Sequence, residues 1–192
     1  MVEHSSYREA VGFDPQKMGQ LETSHYKKLI ERDMTGAFQA TLEMYKEQWK
    51  LADHVAAAAI HFIESSRVFI DGEGKDKMAM TGHLLVYSHY SLIARDSGLK
   101  FDPELVTEAY IEATKQSSDE NPIPLRAVAR LFGLIYSINP DDETLVDAMD
   151  LRSAAFFMLG KEGFGSDEDL SEFEGYLTDY YHYLDMARKH DE

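Results

Sequence analysis

The sequence predicts an all-α fold, a multi-helix bundle of about six or seven helices. Apolar residues recur at spacings of three and four along most of the chain, as on one face of a helix, and strand-like alternation is almost absent. All five prolines stand where a helix is expected to begin, and four of them follow Asp or Asn, which often cap helices. Short clusters of Gly and polar residues separate the periodic segments.

Seven helical segments follow from this pattern. Asp14-Pro15 begins the first, which extends to about residue 34. Thr35-Gly36 separates it from a long segment over 37–70 that contains neither Pro nor Gly. Residues 71–74 form a turn, and the next segment covers 76–97 up to Gly98, since glycine readily adopts the positive φ found at helix ends. The remaining segments cover about 103–117, 123–137, 140–159 and 166–189.

The long helix 37–70 and the helix 76–97 are expected to form the centre of the bundle. Two adjacent apolar rows give the first helix one apolar half, and in the second apolar side chains occur on nearly every face, which is typical of a buried helix. Short connections favour antiparallel neighbours, so we expect Gly82 to meet the alanines at 56–59.

The chain is long enough for one all-α domain over 1–192. A weaker subdivision separates a long-helix half, 1–100, from an acidic half of shorter helices, 101–192. The chain has no cysteine, no secretory leader pattern at residues 1–13, and no apolar run near the roughly 18 residues that a membrane span needs. These features predict a cytoplasmic protein without disulfides and without a membrane partner.

Negative charge is concentrated near the C-terminus. The formal charge of the chain is −16, and residues 139–192 hold 15 acidic and 4 basic residues, a net charge of −11. Such a surface repels a phosphate backbone, so nucleic acid is not an expected partner. A basic protein that binds the acidic C-terminal third is the corresponding expectation, beside the simpler interpretation of a solvated acidic surface.

Two histidine–carboxylate pairs suggest an alternative function as a helical-bundle metal enzyme. His61 and Glu64 are three residues apart on the long helix, and His182 and Asp185 repeat this spacing on the last helix, so each pair shares a helix face. With His54 and His83 they form a candidate set for iron, zinc or manganese. Polar pairs of this spacing are also common on solvated helix faces, and the Glu-x-x-His order of known di-metal bundles is reversed here.

Aromatic residues mark two further places. Tyr176, Tyr180 and Tyr183 form one stripe on the last helix. They are candidate interface residues, and at this spacing a place in the core or at an interface is expected before a role as a ligand platform. His89 lies on an apolar side of its helix, which favours a hydrogen-bonded core histidine over an acid–base group.

The sequence lacks a Gly-rich phosphate loop, a Gly-x-Ser-x-Gly elbow and a His-Glu-x-x-His motif. The first hypothesis is therefore a non-enzymatic protein-interaction or regulatory module that self-associates and needs no cofactor. The alternative is the metal- or small-molecule-binding enzyme described above.

Overall fold

The computed structural model describes residues 12–70, 76–117, 123–159 and 164–189. Within these ranges the chain forms eight α-helices and no strand, which confirms the all-α prediction with one helix more than expected. None of the described helices combines the length and the apolar character that a membrane crossing requires. The helices are α1 (Pro15–Ile30), α2 (Met34–Trp49), α3 (Asp53–Ile70), α4 (Asp76–Ser97), α5 (Pro103–Gln116), α6 (Leu125–Tyr136), α7 (Glu143–Leu159) and α8 (Asp167–Lys189).

Two of the predicted proline-based helix starts have the expected geometry. The Asp14 side chain accepts hydrogen bonds from the backbone N–H groups of Gln16 and Lys17, at 3.0 and 3.2 Å. Asp102 accepts from the N–H of Glu104 at 2.9 Å. In both helices proline occupies the first turn, where it leaves no additional N–H unbonded.

The helix start predicted at Asn139-Pro140 lies later in the structure. Asn139 closes a turn by accepting the N–H of Asp141 at 3.1 Å, and α7 begins later, where Asp142 accepts the N–H of Leu145 at 3.1 Å. The start predicted at Asn121-Pro122 and the turn at 71–74 lie outside the described residues.

The single helix predicted over 37–70 is wrong. It consists of α2 and α3, because Lys50 adopts a left-handed conformation with φ of 53° and ends α2 at Trp49. On a continuous helix, Trp49 and Leu51 would point about 200° apart and one of them would face water. The interruption buries both side chains.

The helices pack mainly as antiparallel neighbours. α1 lies against α2 on one side and against α8 on the other, α7 pairs with α8, and α3 pairs with α4. One buried cluster takes side chains from all eight helices, on both sides of residue 100. Its members include Met18, Trp49, Val55, Val86, Val106, Leu131, Leu145 and Tyr180.

The helix predicted as buried, α4, buries one side only. Val86 and Ile93 are fully buried, whereas Met80, Leu84 and Tyr87 are 62%, 55% and 39% exposed. The prediction that α4 is buried on most faces is therefore wrong for the side that carries Met80, Leu84 and Tyr87.

The predicted contact of Gly82 with the alanines at 56–59 is also wrong. In the antiparallel hairpin, Gly82 lies against Phe69 and Ile70, and it is His89 that reaches Ala59.

Candidate functional site

The His61–Glu64 pair, predicted as metal ligands, lies exposed on α3. Glu64 forms an ion pair of 3.5 Å with Arg67, one turn further along the helix. His54 is also exposed, and the Nε2 atom of His83 is 3.0 Å from a carboxylate oxygen of Glu104. These histidines therefore do not converge on one point.

The two residues of the second predicted pair, His182 and Asp185, lie in different surroundings. His182 is exposed on α8, whereas Asp185 accepts hydrogen bonds from Arg188 and, at 2.6 Å, from Lys189. Among the described residues no group of three or more histidine or carboxylate side chains is arranged to hold a metal ion. The predicted metal centre therefore has no counterpart in this part of the chain.

The predicted tyrosine stripe is divided between core and surface. Tyr180 is fully buried, and the guanidinium carbon of Arg152 lies 4.7 Å from its ring centroid. Tyr176 is partly buried beside Phe173, and Tyr183 is 36% exposed. Tyr180 therefore takes the core position that the sequence offered beside the interface, because its side of α8 faces the core. Of the three tyrosines, Tyr183 has the most accessible ring.

His89 occupies the hydrogen-bonded core position. Its Nδ1–H donates to the carbonyl oxygen of Ala59 at 2.9 Å, and its ring contacts Tyr45, Trp49 and Tyr90. Burial lowers the pKa of His89 to about 4. The imidazole is therefore neutral at neutral pH and connects α3 to α4.

A buried charge network joins α1, α7 and α8. Both carboxylate oxygens of Glu22 accept from the Arg152 guanidinium, at 3.0 and 2.5 Å, and Tyr181 donates to the same carboxylate at 2.7 Å. Burial alone would lower the pKa of Arg152, but the Glu22 carboxylate raises it well above its usual value. Such a network fixes the packing of three helices and leaves Arg152 unavailable to acids on the surface.

A groove between α7 and α8 carries unpaired acids. Its volume is about 410 Å³. Its lining consists of Asp147, Asp150, Leu151 and Ala154 from α7, and Asp179 and Tyr183 from α8. Asp147 and Asp150 are three residues apart and Asp179 and Tyr183 are four apart, so each pair lies on one helix face. The antiparallel packing of α7 and α8 brings the two faces together.

The three groove carboxylates are exposed, and none of them forms an ion pair with a cationic side chain among the described residues. The described basic residues of the acidic C-terminal third all bond elsewhere: Arg152 to Glu22, and both Arg188 and Lys189 to Asp185. The groove therefore combines three uncompensated negative charges with an apolar floor and one accessible aromatic ring.

Sequence reasoning did not single out the groove acids, although one signal was present. Arg152 follows Leu145 and Met149 on the apolar face of α7, so its charge is directed inwards. The acids on the opposite face then have no basic neighbour within the helix. The pairing of α7 with α8, which adds Asp179, is a tertiary feature.

No family model, curated protein or solved structure matches this chain.

Proposed function

We propose that the protein is a non-enzymatic interaction module that binds a basic segment of a partner protein in the groove between α7 and α8. The observation that supports this most directly is the set of three exposed, unpaired carboxylates around an apolar floor. A cytoplasmic location, expected from the sequence, is part of the proposal.

The chemistry of the groove suits Lys and Arg side chains. Their alkyl stems cover apolar surface while their charged ends remain in water, so Leu151 and Ala154 can contact the stems and the carboxylates the ends. A guanidinium can also stack on the ring of Tyr183. The net charge of −11 over 139–192 attracts a basic segment from a distance, which mainly raises its association rate.

Binding of a short basic peptide tests the proposal. The probe is a fluorescently labelled helical peptide with Arg or Lys at helical spacing and Ala between, titrated with the protein and followed by anisotropy. We expect the combined variant Asp147→Asn, Asp150→Asn and Asp179→Asn to bind at least about tenfold more weakly, equivalent to about 1.4 kcal/mol. Added salt weakens binding to the unaltered protein.

A matched control removes the same charge from the same part of the chain. Asp141, Glu168 and Glu172 are exposed and lie outside the groove. Their combined change to Asn, Gln and Gln is expected to alter the affinity less than about twofold, since only the distant field changes. Equal weakening in the two variants, or no binding to the unaltered protein, would overturn the proposal.

Elemental analysis separates the proposal from the alternative metal- or small-molecule-binding enzyme. Stoichiometric iron, zinc or manganese in the purified protein would contradict the proposed function. A metal-free protein that still binds the basic peptide supports it.

A further inference from the structure

Tyr183 lies level with two of the three groove carboxylates. In the antiparallel pair α7–α8, Arg152 of α7 contacts Tyr180 of α8, with its guanidinium carbon 4.7 Å from the ring centroid. Because the helices run in opposite directions, a step of three residues forward along α8 matches a step of about three residues back along α7. This step brings Tyr183 to the turn of α7 that carries Asp147 and Asp150, and all three side chains line the groove. The third groove carboxylate, on α8, lies about one turn away.

The interior of the molecule contains two arginines that each combine an aromatic ring with a carboxylate. Arg152 lies over the Tyr180 ring while it donates to both carboxylate oxygens of Glu22. The guanidinium carbon of Arg188 is 5.6 Å from the centroid of the Phe13 ring, and this arginine donates to an aspartate one turn earlier on α8. The groove repeats the ring and the carboxylates at the surface, and its own helices direct both of their arginines to the interior.

Charge alone does not distinguish arginine from lysine at such a place, but an aromatic ring does. A guanidinium is flat and weakly hydrated, so it stacks on a ring while its fork of N–H groups reaches carboxylates at the ring edge. A lysine ammonium is compact and strongly hydrated, and it loses more of its hydration against the ring and against Leu151 and Ala154. The surroundings of Tyr183 therefore suit arginine better.

We infer that Tyr183 selects arginine over lysine in the basic segment, by stacking on the guanidinium while Asp147 and Asp150 accept its N–H groups. The inference rests on the proposed function, because it specifies which basic side chain the groove between α7 and α8 binds. It adds that the specificity comes from an aromatic residue, whereas the acids supply attraction to any cation.

Two labelled helical peptides of equal length and charge test the selection. One has Arg and the other Lys at every basic position, with Ala between, and binding is followed by fluorescence anisotropy. We expect the unaltered protein to bind the Arg peptide about fivefold more tightly than the Lys peptide. Tyr183→Leu is expected to remove this preference and to change the affinity for the Lys peptide less than about twofold. Tyr183→Phe keeps the ring and is expected to keep the preference.

A matched control removes an aromatic ring from the same hairpin. Phe157 of α7 is 64% exposed and does not line the groove, so Phe157→Leu is expected to keep the preference for arginine. Binding of the Lys peptide and native helix content by circular dichroism show that each variant is folded. A preference for arginine that persists in Tyr183→Leu would overturn the inference.

The carboxylates test the placement of the guanidinium. The double variant Asp147→Asn and Asp150→Asn is expected to reduce the preference to less than about twofold. Asp179→Asn, one turn away, is expected to weaken binding of both peptides alike and to keep the preference. The opposite pattern would contradict the placement.

The two proposals fail in different ways. Equal affinity of the unaltered protein for the two peptides, with binding still lost in the triple Asn variant of the groove, would overturn the selection by Tyr183 and leave the proposed function standing. Absence of binding to either peptide would overturn the proposed function and this inference together.

Discussion

The hairpins α3–α4 and α7–α8 are both antiparallel helix pairs, but they place charge differently. The interior of α3–α4 contains the neutral imidazole of His89, bonded to a backbone carbonyl, and residues 78–94 of α4 include no Asp, Glu, Lys or Arg. The interior of α7–α8 contains the charged Arg152, paired with Glu22 of α1, and its solvent groove is acidic. The same packing therefore supports two opposite kinds of surface.

The difference shows that the acidic groove depends on the orientation of arginines as well as on composition. Some acids elsewhere on the molecule have cationic neighbours, as Glu47 has Lys17 and Lys50. Although burial opposes it, hydrogen bonds from these lysines lower the pKa of Glu47 to about 2. On α7 and α8, Arg152 and Arg188 are directed inwards, and the acids of the groove remain uncompensated.

The largest effect is expected when the buried negative charge of Glu22 is removed. Glu22→Gln leaves the Arg152 cation without its carboxylate in the core, and we expect a loss of about 3–5 kcal/mol in the free energy of unfolding. Urea denaturation measures the loss. The control is Glu112→Gln, since Glu112 forms an exposed ion pair of 2.7 Å with Arg130, and its removal is expected to change stability by less than about 1 kcal/mol. Similar losses for the two variants would show that the internal pair has no special weight.

A second test lowers the pH and concerns His89, the neutral side chain inside the α3–α4 hairpin. The pKa of His89 is lowered from 6.5 to about 4 in the folded protein, so the unfolded chain binds a proton more readily. The stability contributed by the neutral ring is present above pH 6.5 and is lost as the pH falls towards the folded pKa.

The free energy of unfolding, measured by urea denaturation from neutral pH down to about pH 5, should fall by about 2 kcal/mol because of this group. The Glu47 carboxylate titrates at lower pH and does not interfere in that window. His89→Phe should remove most of the pH dependence, and a variant as pH-sensitive as the unaltered protein would contradict this assignment.

A third test compares Gly19 of α1 with Gly175 of α8. A Cβ atom on Gly19 of α1 would lie 2.9 Å from the backbone nitrogen of Thr178 of α8, so Gly19→Ala forces these helices apart. We expect a loss of about 1–3 kcal/mol. Gly175 has no neighbour within 4 Å of such an atom, and Gly175→Ala should instead stabilise α8 by up to about 1 kcal/mol. Thermal unfolding of the two variants gives the comparison, and a loss of stability at both positions would contradict it.

Features with local causes could be predicted from the sequence. The caps at Asp14 and Asp102 and the end of α4 at Gly98 depend on neighbouring residues alone. The break at Lys50 could not be predicted, because a left-handed lysine without Gly or Pro nearby is imposed by the simultaneous burial of Trp49 and Leu51.

In the candidate site too, contacts between distant helices could not be predicted from the sequence. Arg152 lies at helical spacing from the buried Leu145 and Met149, but its partner is 130 positions earlier in the chain. The periodicity of one helix carries no information on which distant helix will oppose it. Asp179 could be assigned to the groove only when the pairing of α7 with α8 was known.

The bond between Tyr181 and Glu22 has a consequence for biosynthesis. The two residues are 159 positions apart, so α1 leaves the ribosome long before its neighbour α8 has been translated. At about 5–20 residues per second this delay is on the order of 10–30 s. During that time the Glu22 carboxylate stays hydrated and the apolar side of α1 has no α8 to cover it. Completion of the native bundle is therefore a late event that follows translation of the final helix.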